Sequence, residues 1–158
     1  MFLRALLAFL ILPGMAAIVV PPLLASLDPW KHGVFLPGAF VLLVGAALLL
    51  WCVRDFYVSG KGTLAPWDPP KKLVVVGLYR HMRNPMYVGV LTLVIGWALF
   101  FTSPILGLYA AFLAVGFHIR VITNEEPWLE SQFGNEWRTY RAEVGRWFPR
   151  LQPWKNGS

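Results

Sequence analysis

Long runs of apolar residues are the strongest constraint on this chain, because they can cross a hydrocarbon core roughly 30 Å thick. The 158-residue sequence is 57% hydrophobic and only 14% charged, with a mean hydropathy of +0.56. A soluble domain carries about 25% charged residues. We therefore predict an all-α integral membrane protein. Its four predicted transmembrane helices are about Phe2–Leu24, Val34–Val53, Met86–Phe101 and Ile105–Ile122.

The first predicted span contains Pro13-Gly14 and is expected to end at Pro21-Pro22. Proline is tolerated in membrane helices where neighbouring groups satisfy the freed carbonyl, so Pro13 predicts a kink within a span. A cleaved signal peptide is the alternative, since Arg4 precedes an apolar run and then Met15-Ala16-Ala17. The apolar stretch continues past these small residues, which favours the span.

The distribution of Lys and Arg predicts the orientation. They concentrate between residues 54 and 83 and between residues 138 and 155, whereas the short loop after the first span offers Lys31. Cytoplasmic loops carry this excess, so both termini and the long loop are expected in the cytoplasm, and the small size favours a bacterial inner membrane. The net charge of +6 then reflects topology and attraction to anionic membrane lipids rather than nucleic-acid binding.

No metal centre is predicted. His32, His81 and His118 are far apart in sequence and lack partners at ligand spacing. Cys52 lies inside the second span without a basic neighbour to ionise it, so we interpret it as a packing residue.

The stretch GLYRHMRNPMYVGV, residues 77–90, gathers polar side chains at the start of the third span. Asn84 is predicted at the N-cap and Pro85 in the first turn, where a missing N–H costs nothing. The exposed N–H groups and the positive helix end suit an anionic group such as a carboxylate, and Arg80 and Arg83 add charge. The alternative is an ordinary helix start with positive flanks.

Three ionisable residues, Arg120, Glu125 and Glu126, end the fourth span. Charged groups at this depth are costly and are functional candidates, although solvated carboxylates at an interfacial helix end are the alternative. The third and fourth spans are joined only by Thr102-Ser103-Pro104, which predicts an antiparallel hairpin. That hairpin would bring Asn84 near the two carboxylates and form a pocket suited to a zwitterion.

The region after the fourth span predicts an amphipathic cytoplasmic helix, because apolar residues recur at spacings of three and four. They are Leu129, Phe133, Trp137, Tyr140 and Val144. Trp147, Phe148 and Trp154 are expected to anchor the chain at the membrane interface. The loop GKGTLAPWDPPKKLVVVGLY, residues 60–79, is either a linker or a short extended segment on an apolar surface. We predict a two-span region, residues 1–55, and a cofactor-binding region, residues 56–158.

The blocks GLYRHMRNPMYVG and NEEPWLESQFGNEWRTYRAEVGRWFP, separated by a helical hairpin, resemble the isoprenylcysteine carboxyl methyltransferase family. The related phospholipid N-methyltransferases have similar features. The resemblance covers roughly Gly60 to Pro149 and implies a membrane enzyme that uses S-adenosylmethionine, a zwitterion with a sulfonium. It also implies a lipid-like methyl acceptor that enters from the bilayer between helices.

The resemblance implies a set of cofactor-binding residues. They are Lys71, Lys72, Leu73, Val74, Tyr79, Asn84, Pro85, Met86, Tyr87 and Glu125. Eukaryotic members have a substrate-binding Arg four residues before this Glu, where the present chain has Val121. The adjacent Arg120 is therefore predicted to steer an anionic acceptor headgroup.

Methyl transfer is a displacement that depends mainly on proximity and alignment. A carboxylate acceptor needs no base, whereas an amine or phenol must lose a proton, which Glu125, Glu126 or His118 could take. A membrane sterol-type reductase using NADPH is an alternative, because that family has a similar Arg-His/Asn-Pro-x-Tyr block. Its usual Gly-Glu after the Tyr is replaced here by Val88-Gly89-Val90. A non-enzymatic membrane accessory protein is the third possibility.

Overall fold

The computed structural model describes residues 10–59 and 72–155, and within those ranges it contains helices and loops but no strand. The predicted all-α class is confirmed over these residues. In chain order the elements are a π-helix Leu10–Val19, α1 Val20–Leu27, α2 Pro37–Ser59, a 3₁₀ turn Gly77–Arg80, α3 Pro85–Phe100, α4 Pro104–Arg120, a π-helical turn Val121–Glu125 and α5 Glu126–Glu143.

Two helical stretches, Pro37–Asp55 and Pro104–Glu143, are long and apolar enough to cross a membrane by length and composition. Gly14–Leu27 and Pro85–Phe100 are apolar but shorter, so the count of four spans stays a prediction. The residues between Phe100 and Pro104 connect α3 to α4, which fold back against each other as the predicted hairpin. We call the end of the bundle at this connection the hairpin end. The opposite end, where α2 and α4 end and α3 begins, is the polar end.

Helices α2 and α3 approach so closely that glycine is required at their contact. A Cβ on Gly45 would lie 2.6 Å from the backbone nitrogen of Leu93, and one on Gly96 would lie 2.7 Å from that of Leu42. Small residues let helix backbones approach in this way where bulk apolar burial contributes little to helix association. Since α2 runs through the predicted boundary at residues 55/56 and packs on α3, the division into two regions stays a prediction.

The first helix continues past Pro21-Pro22 and ends at Leu27, so the expectation that the proline pair ends it is wrong. Pro21 has no N–H for the carbonyl of Ala17, four residues earlier. The indole Nε1 of Trp97 donates to that carbonyl at 3.0 Å, and the hydroxyl of Tyr109 donates to the carbonyl of Ala16 at 3.2 Å. A donor from α3 therefore replaces the backbone donor that Pro21 lacks, and a donor from α4 binds the carbonyl beside it.

Asp28 fixes the hairpin end. Its carboxylate is buried, accepts a hydrogen bond from the hydroxyl of Ser103 and accepts another from the backbone N–H of Ile105 at 3.2 Å. The Ser103 hydroxyl in turn caps α4 by accepting from the N–H of Leu106. These contacts hold the loop after α1 against the first turn of α4.

The apolar positions predicted for the amphipathic helix form a cluster inside the protein. Trp137, Tyr140 and Val144 are buried together with Trp154, and Leu73 packs against them. Trp154 is 9% exposed, so its predicted role as a membrane anchor is wrong, whereas Phe148 is 85% exposed. Helix α5 changes direction at Gly134, where φ is 49°, and its location at the membrane surface stays a prediction.

Candidate functional site

At the polar end of α4, the helix continues as a π-helical turn, Val121–Glu125. Such turns insert an extra residue into a helix and occur frequently at functional sites. Here the turn buries Val121, which is 1% exposed, and leaves Arg120 and Glu125 on the surface of the bundle. The position at which the resemblance places a substrate-binding Arg is therefore a packing position in this chain, and the adjacent Arg120 supplies the cation.

Three side chains converge at this turn. The Tyr87 hydroxyl donates to the Oε1 atom of Glu125. The Nε atom of Arg120 lies 2.9 Å from the same carboxylate oxygen and 3.1 Å from the Tyr87 hydroxyl. The side chains of Arg120 and Glu125 remain 45% and 31% exposed, so a ligand can reach both. We call Tyr87, Arg120 and Glu125 the polar triad.

Aromatic rings flank the polar triad. The centroid of the Tyr87 ring lies 4.5 Å from that of Phe117 and 6.5 Å from that of Trp147. The indole Nε1 of Trp147 donates to the Nδ1 atom of His118 at 3.2 Å. Trp147 therefore packs at the edge of the triad, whereas the sequence indicated only an interface anchor. The faces of such rings attract cations.

Glu126 has a different environment from Glu125. Its Oε1 atom accepts from Arg83 at 2.9 Å, and Arg146 binds both of its oxygens at 2.6 and 2.9 Å. Burial alone would raise the pKa of Glu126, but the hydrogen bonds from Arg146 and the charge of Arg83 outweigh it and keep the pKa below its ordinary value. With two guanidinium partners, this carboxylate is arranged to hold the loop after α5 against the start of α3.

The start of α3 agrees closely with the predicted geometry. Asn84 is the N-cap residue and Pro85 occupies the first turn. The Asn84 amide does not cap the helix but donates to the carbonyl of Arg146 at 3.2 Å. Pro85 is buried, and Met86 packs against the apolar core of the bundle. Of the four cofactor residues predicted here, only Tyr87 belongs to the polar triad.

The segment from residue 72 to residue 80 holds the remaining predicted cofactor residues that the structure describes. Lys72 is exposed, and Leu73 and Val74 are half-buried outside any helix. The carbonyl of Tyr79 accepts from the hydroxyl of Tyr140 at 2.5 Å. Lys71 lies outside the described residues.

The same segment lines a pocket of about 310 Å³ together with the chain's C-terminal part. The lining residues are Val75, Val76, Gly77, Arg80 and Trp154. Arg80 donates from Nε to the carbonyl of Trp154 at 2.7 Å, and its own carbonyl accepts from the Trp154 N–H at 2.8 Å. The residues that line this pocket are not among the predicted cofactor residues, although Leu73, Val74 and Tyr79 belong to the same segment. Tyr87 and Glu125 of the predicted set lie at the polar triad.

Sequence reasoning missed the parts played by Arg146 and Trp147. Both lie in the basic tail, where the sequence indicated membrane topology, yet Arg146 pairs with Glu126 and Trp147 packs on Tyr87. Their signal in the sequence is that both lie in the second block of the family resemblance, within GRWFP. Over the described residues, no group of three His, Cys, Asp or Glu side chains is arranged to hold a metal ion.

Comparison with known proteins supplies a family for this arrangement. Residues 34–136, well over half of the chain, match the family described as phospholipid methyltransferase (PEMT). The match includes α2, the hairpin and the polar triad. An uncharacterized protein of Haemophilus influenzae is 32% identical over 62 residues, which make up 39% of this chain and 98% of that protein.

Proposed function

We propose that this chain, which belongs to the phospholipid methyltransferase family, is a membrane enzyme that transfers a methyl group from S-adenosylmethionine to a lipid-like acceptor. The observation that carries the proposal is the polar triad. It combines a partly exposed carboxylate, a hydroxyl and a guanidinium at the end of two apolar helices. The isoprenylcysteine-type acceptor remains one possibility and a phospholipid amine another.

The residues of the polar end fit the demands of S-adenosylmethionine. When bound, this cofactor supplies a methyl group on a positively charged sulfur, which an acceptor nucleophile displaces in line. Glu125 offers a carboxylate for a cation, and the rings of Tyr87 and Trp147 offer faces that attract one. The pocket beside Gly77 and Arg80 offers an apolar wall and a guanidinium. The pocket and the polar triad would then contact different parts of one elongated ligand.

Glu125 and Glu126 receive different roles in this proposal. The side chain of Glu125 is partly exposed and pairs with Arg120, so it can contact a ligand and accept a proton from an amine acceptor. Glu126 is held by two arginines and is 11% exposed at its side chain, so we assign it to structure rather than to the predicted catalytic role. His118 lies beside the triad, but its Nδ1 atom already accepts a hydrogen bond from the indole of Trp147, so we assign the proton to Glu125 rather than to His118.

An exposed apolar stripe on α4 leads to the polar triad. Its members recur at spacings of four and three residues and are Leu108, Phe112, Val115, Ile119 and Ile122. Ile119 directly precedes Arg120, and Ile122 follows it by two residues, in the π-helical turn. A lipid chain lying along this stripe would bring an anionic headgroup to the exposed guanidinium of Arg120. We propose this route for the acceptor, in a membrane where both termini and the polar end face the cytoplasm.

Transfer of a labelled methyl group tests the proposal. Membranes containing the wild-type protein are incubated with methyl-labelled S-adenosylmethionine, and label is counted in the organic extract. We expect incorporation that Glu125→Gln abolishes and that Glu130→Gln retains, since Glu130 lies on α5 and pairs with Arg138 and Arg141. Equal incorporation with and without the protein would contradict the proposal.

A further inference from the structure

A buried carboxylate at the end of α2 supports the Gly77–Arg80 turn, which ends the segment from residue 72 to residue 80. Asp55 is 4% exposed, and its Oδ2 atom accepts a hydrogen bond from the backbone N–H of Leu78 at 3.3 Å. The segment 72–80 also contacts the C-terminal part of the chain, through Tyr140 and Trp154. Asp55 therefore connects the membrane helices to this segment directly.

Gly77 makes the contact possible. Its φ is +50°, a conformation that residues with a side chain rarely adopt. A Cβ on Gly77 would also collide with the carboxylate of Asp55. Two independent features, the positive φ and the absent side chain, thus bring the backbone of the turn directly against this carboxylate.

The turn that Asp55 supports forms one wall of the pocket of about 310 Å³, to which Gly77 and Arg80 both contribute. A change at Asp55 would alter the position of this wall without removing any group that faces the pocket. We infer that Asp55 is a positioning residue for the adenosyl cofactor, acting through the Gly77–Arg80 turn. The inference rests on the proposed function, because it assigns the pocket to that cofactor.

The chain provides a matched control at its other end. Asp28 is also buried, at 3% exposure, and also accepts a backbone N–H, that of Ile105 at 3.2 Å. It lies at the hairpin end, away from the predicted cofactor residues that the structure describes. Loss of either carboxylate removes charge-assisted hydrogen bonds to backbone, from Leu78 at Asp55 and from Trp30 and Ile105 at Asp28, which also loses the Ser103 hydroxyl. The control is therefore alike in kind, removes at least as many of these bonds, and lies elsewhere in the fold.

The experiment is calorimetric titration of the purified full-length protein with S-adenosylhomocysteine, with the melting temperature measured on each sample. We expect Asp55→Ala to weaken binding by roughly ten-fold or more. Asp28→Ala should lower the melting temperature at least as much and leave the affinity within about two-fold of wild type. Asp55→Asn keeps an acceptor oxygen and should recover most of the affinity. It also provides a folded variant if Asp55→Ala does not fold.

The outcomes separate two kinds of failure. If wild type binds and the affinities of Asp55→Ala and Asp55→Asn both equal it, or if Asp28→Ala weakens binding as much as Asp55→Ala, the positioning role is overturned and the proposed function stands. If wild type itself does not bind the ligand, the proposed function and this inference both fail.

Discussion

The hydroxyl of Tyr87, in the first turn of α3, donates a hydrogen bond to the carboxylate of Glu125, at the end of the π-helical turn. The two residues are 38 positions apart in the chain. Arg120 binds both of them and belongs to the last turn of α4. One hydroxyl therefore holds the ends of two antiparallel helices together at the place where the proposed chemistry occurs.

Removal of that hydroxyl should impair methyl transfer. Tyr87→Phe keeps the ring that packs on Phe117 but releases Glu125 from one of its partners. We expect kcat/KM to fall about ten-fold, the effect of losing one hydrogen bond to a charged group. The control is Tyr109→Phe, which removes a hydroxyl that bonds Ala16 elsewhere in the bundle. Equal losses in the two variants would contradict a local role for Tyr87.

Glu126 should govern acid stability. Its folded-state pKa lies below the ordinary value of 4.5, so its contribution to the free energy of unfolding is complete above about pH 4.5 and is lost as the pH falls through the folded-state pKa. At neutral pH we expect Glu126→Gln to cost about 3 kcal/mol, because Arg83 and Arg146 lose their shared partner.

Melting temperatures recorded from pH 6 to pH 3 check this expectation. The advantage of wild type over Glu126→Gln should shrink below about pH 4.5, and the exposed Glu136→Gln should track wild type throughout. An advantage of constant size across this range would show that the ion pairs of Glu126 do not determine the pH dependence.

Close packing of α2 on α3 should make two glycines sensitive to a single methyl group. Gly45→Ala and Gly96→Ala each place a Cβ within 2.7 Å of a backbone nitrogen, and we expect a loss of about 1–3 kcal/mol for each. Gly107→Ala and Gly116→Ala are the controls, since a Cβ at either position meets no atom within 4 Å. Unfolding of the four variants in detergent gives the comparison, and similar stabilities would contradict the packing.

The apolar stripe on α4 should matter to the acceptor and not to the cofactor. Phe112→Ala removes a ring from the proposed acceptor route, and we expect the KM for the lipid acceptor to rise about five-fold, with the KM for S-adenosylmethionine unchanged. Phe40→Ala is a matched control, because Phe40 is 70% exposed on α2 and Phe112 is 73% exposed on α4. A similar rise in both variants would indicate a general effect of the bilayer contact.

Local signals were sufficient for part of this structure. The hairpin was predictable because three residues between two apolar runs leave one way to connect them. The start of α3 was predictable because Pro85 favours the first turn of a helix, where its missing N–H costs nothing, and Asn84 is a preferred residue type at the N-cap that precedes it. Both features depend on residues close together in the sequence.

Other features depend on partners that are distant in the sequence. The first helix passes Pro21 with the help of Trp97, which is 80 residues from the carbonyl it satisfies. Glu126 differs from Glu125 because of Arg83 and Arg146, which are 43 and 20 residues away from it. Adjacent carboxylates of identical chemistry therefore have different environments, and only the tertiary structure distinguishes them.

The most direct test of the account is a calorimetric titration of the purified protein with S-adenosylhomocysteine, with NADPH titrated alongside. We predict that wild type and Glu130→Ala bind the adenosyl ligand, that Glu125→Ala shows no measurable binding, and that NADPH gives no heat of binding. Binding of NADPH alone would instead favour a reductase. No measurable heat of binding from either ligand, or an unchanged affinity in Glu125→Ala, would contradict the proposed methyltransferase site.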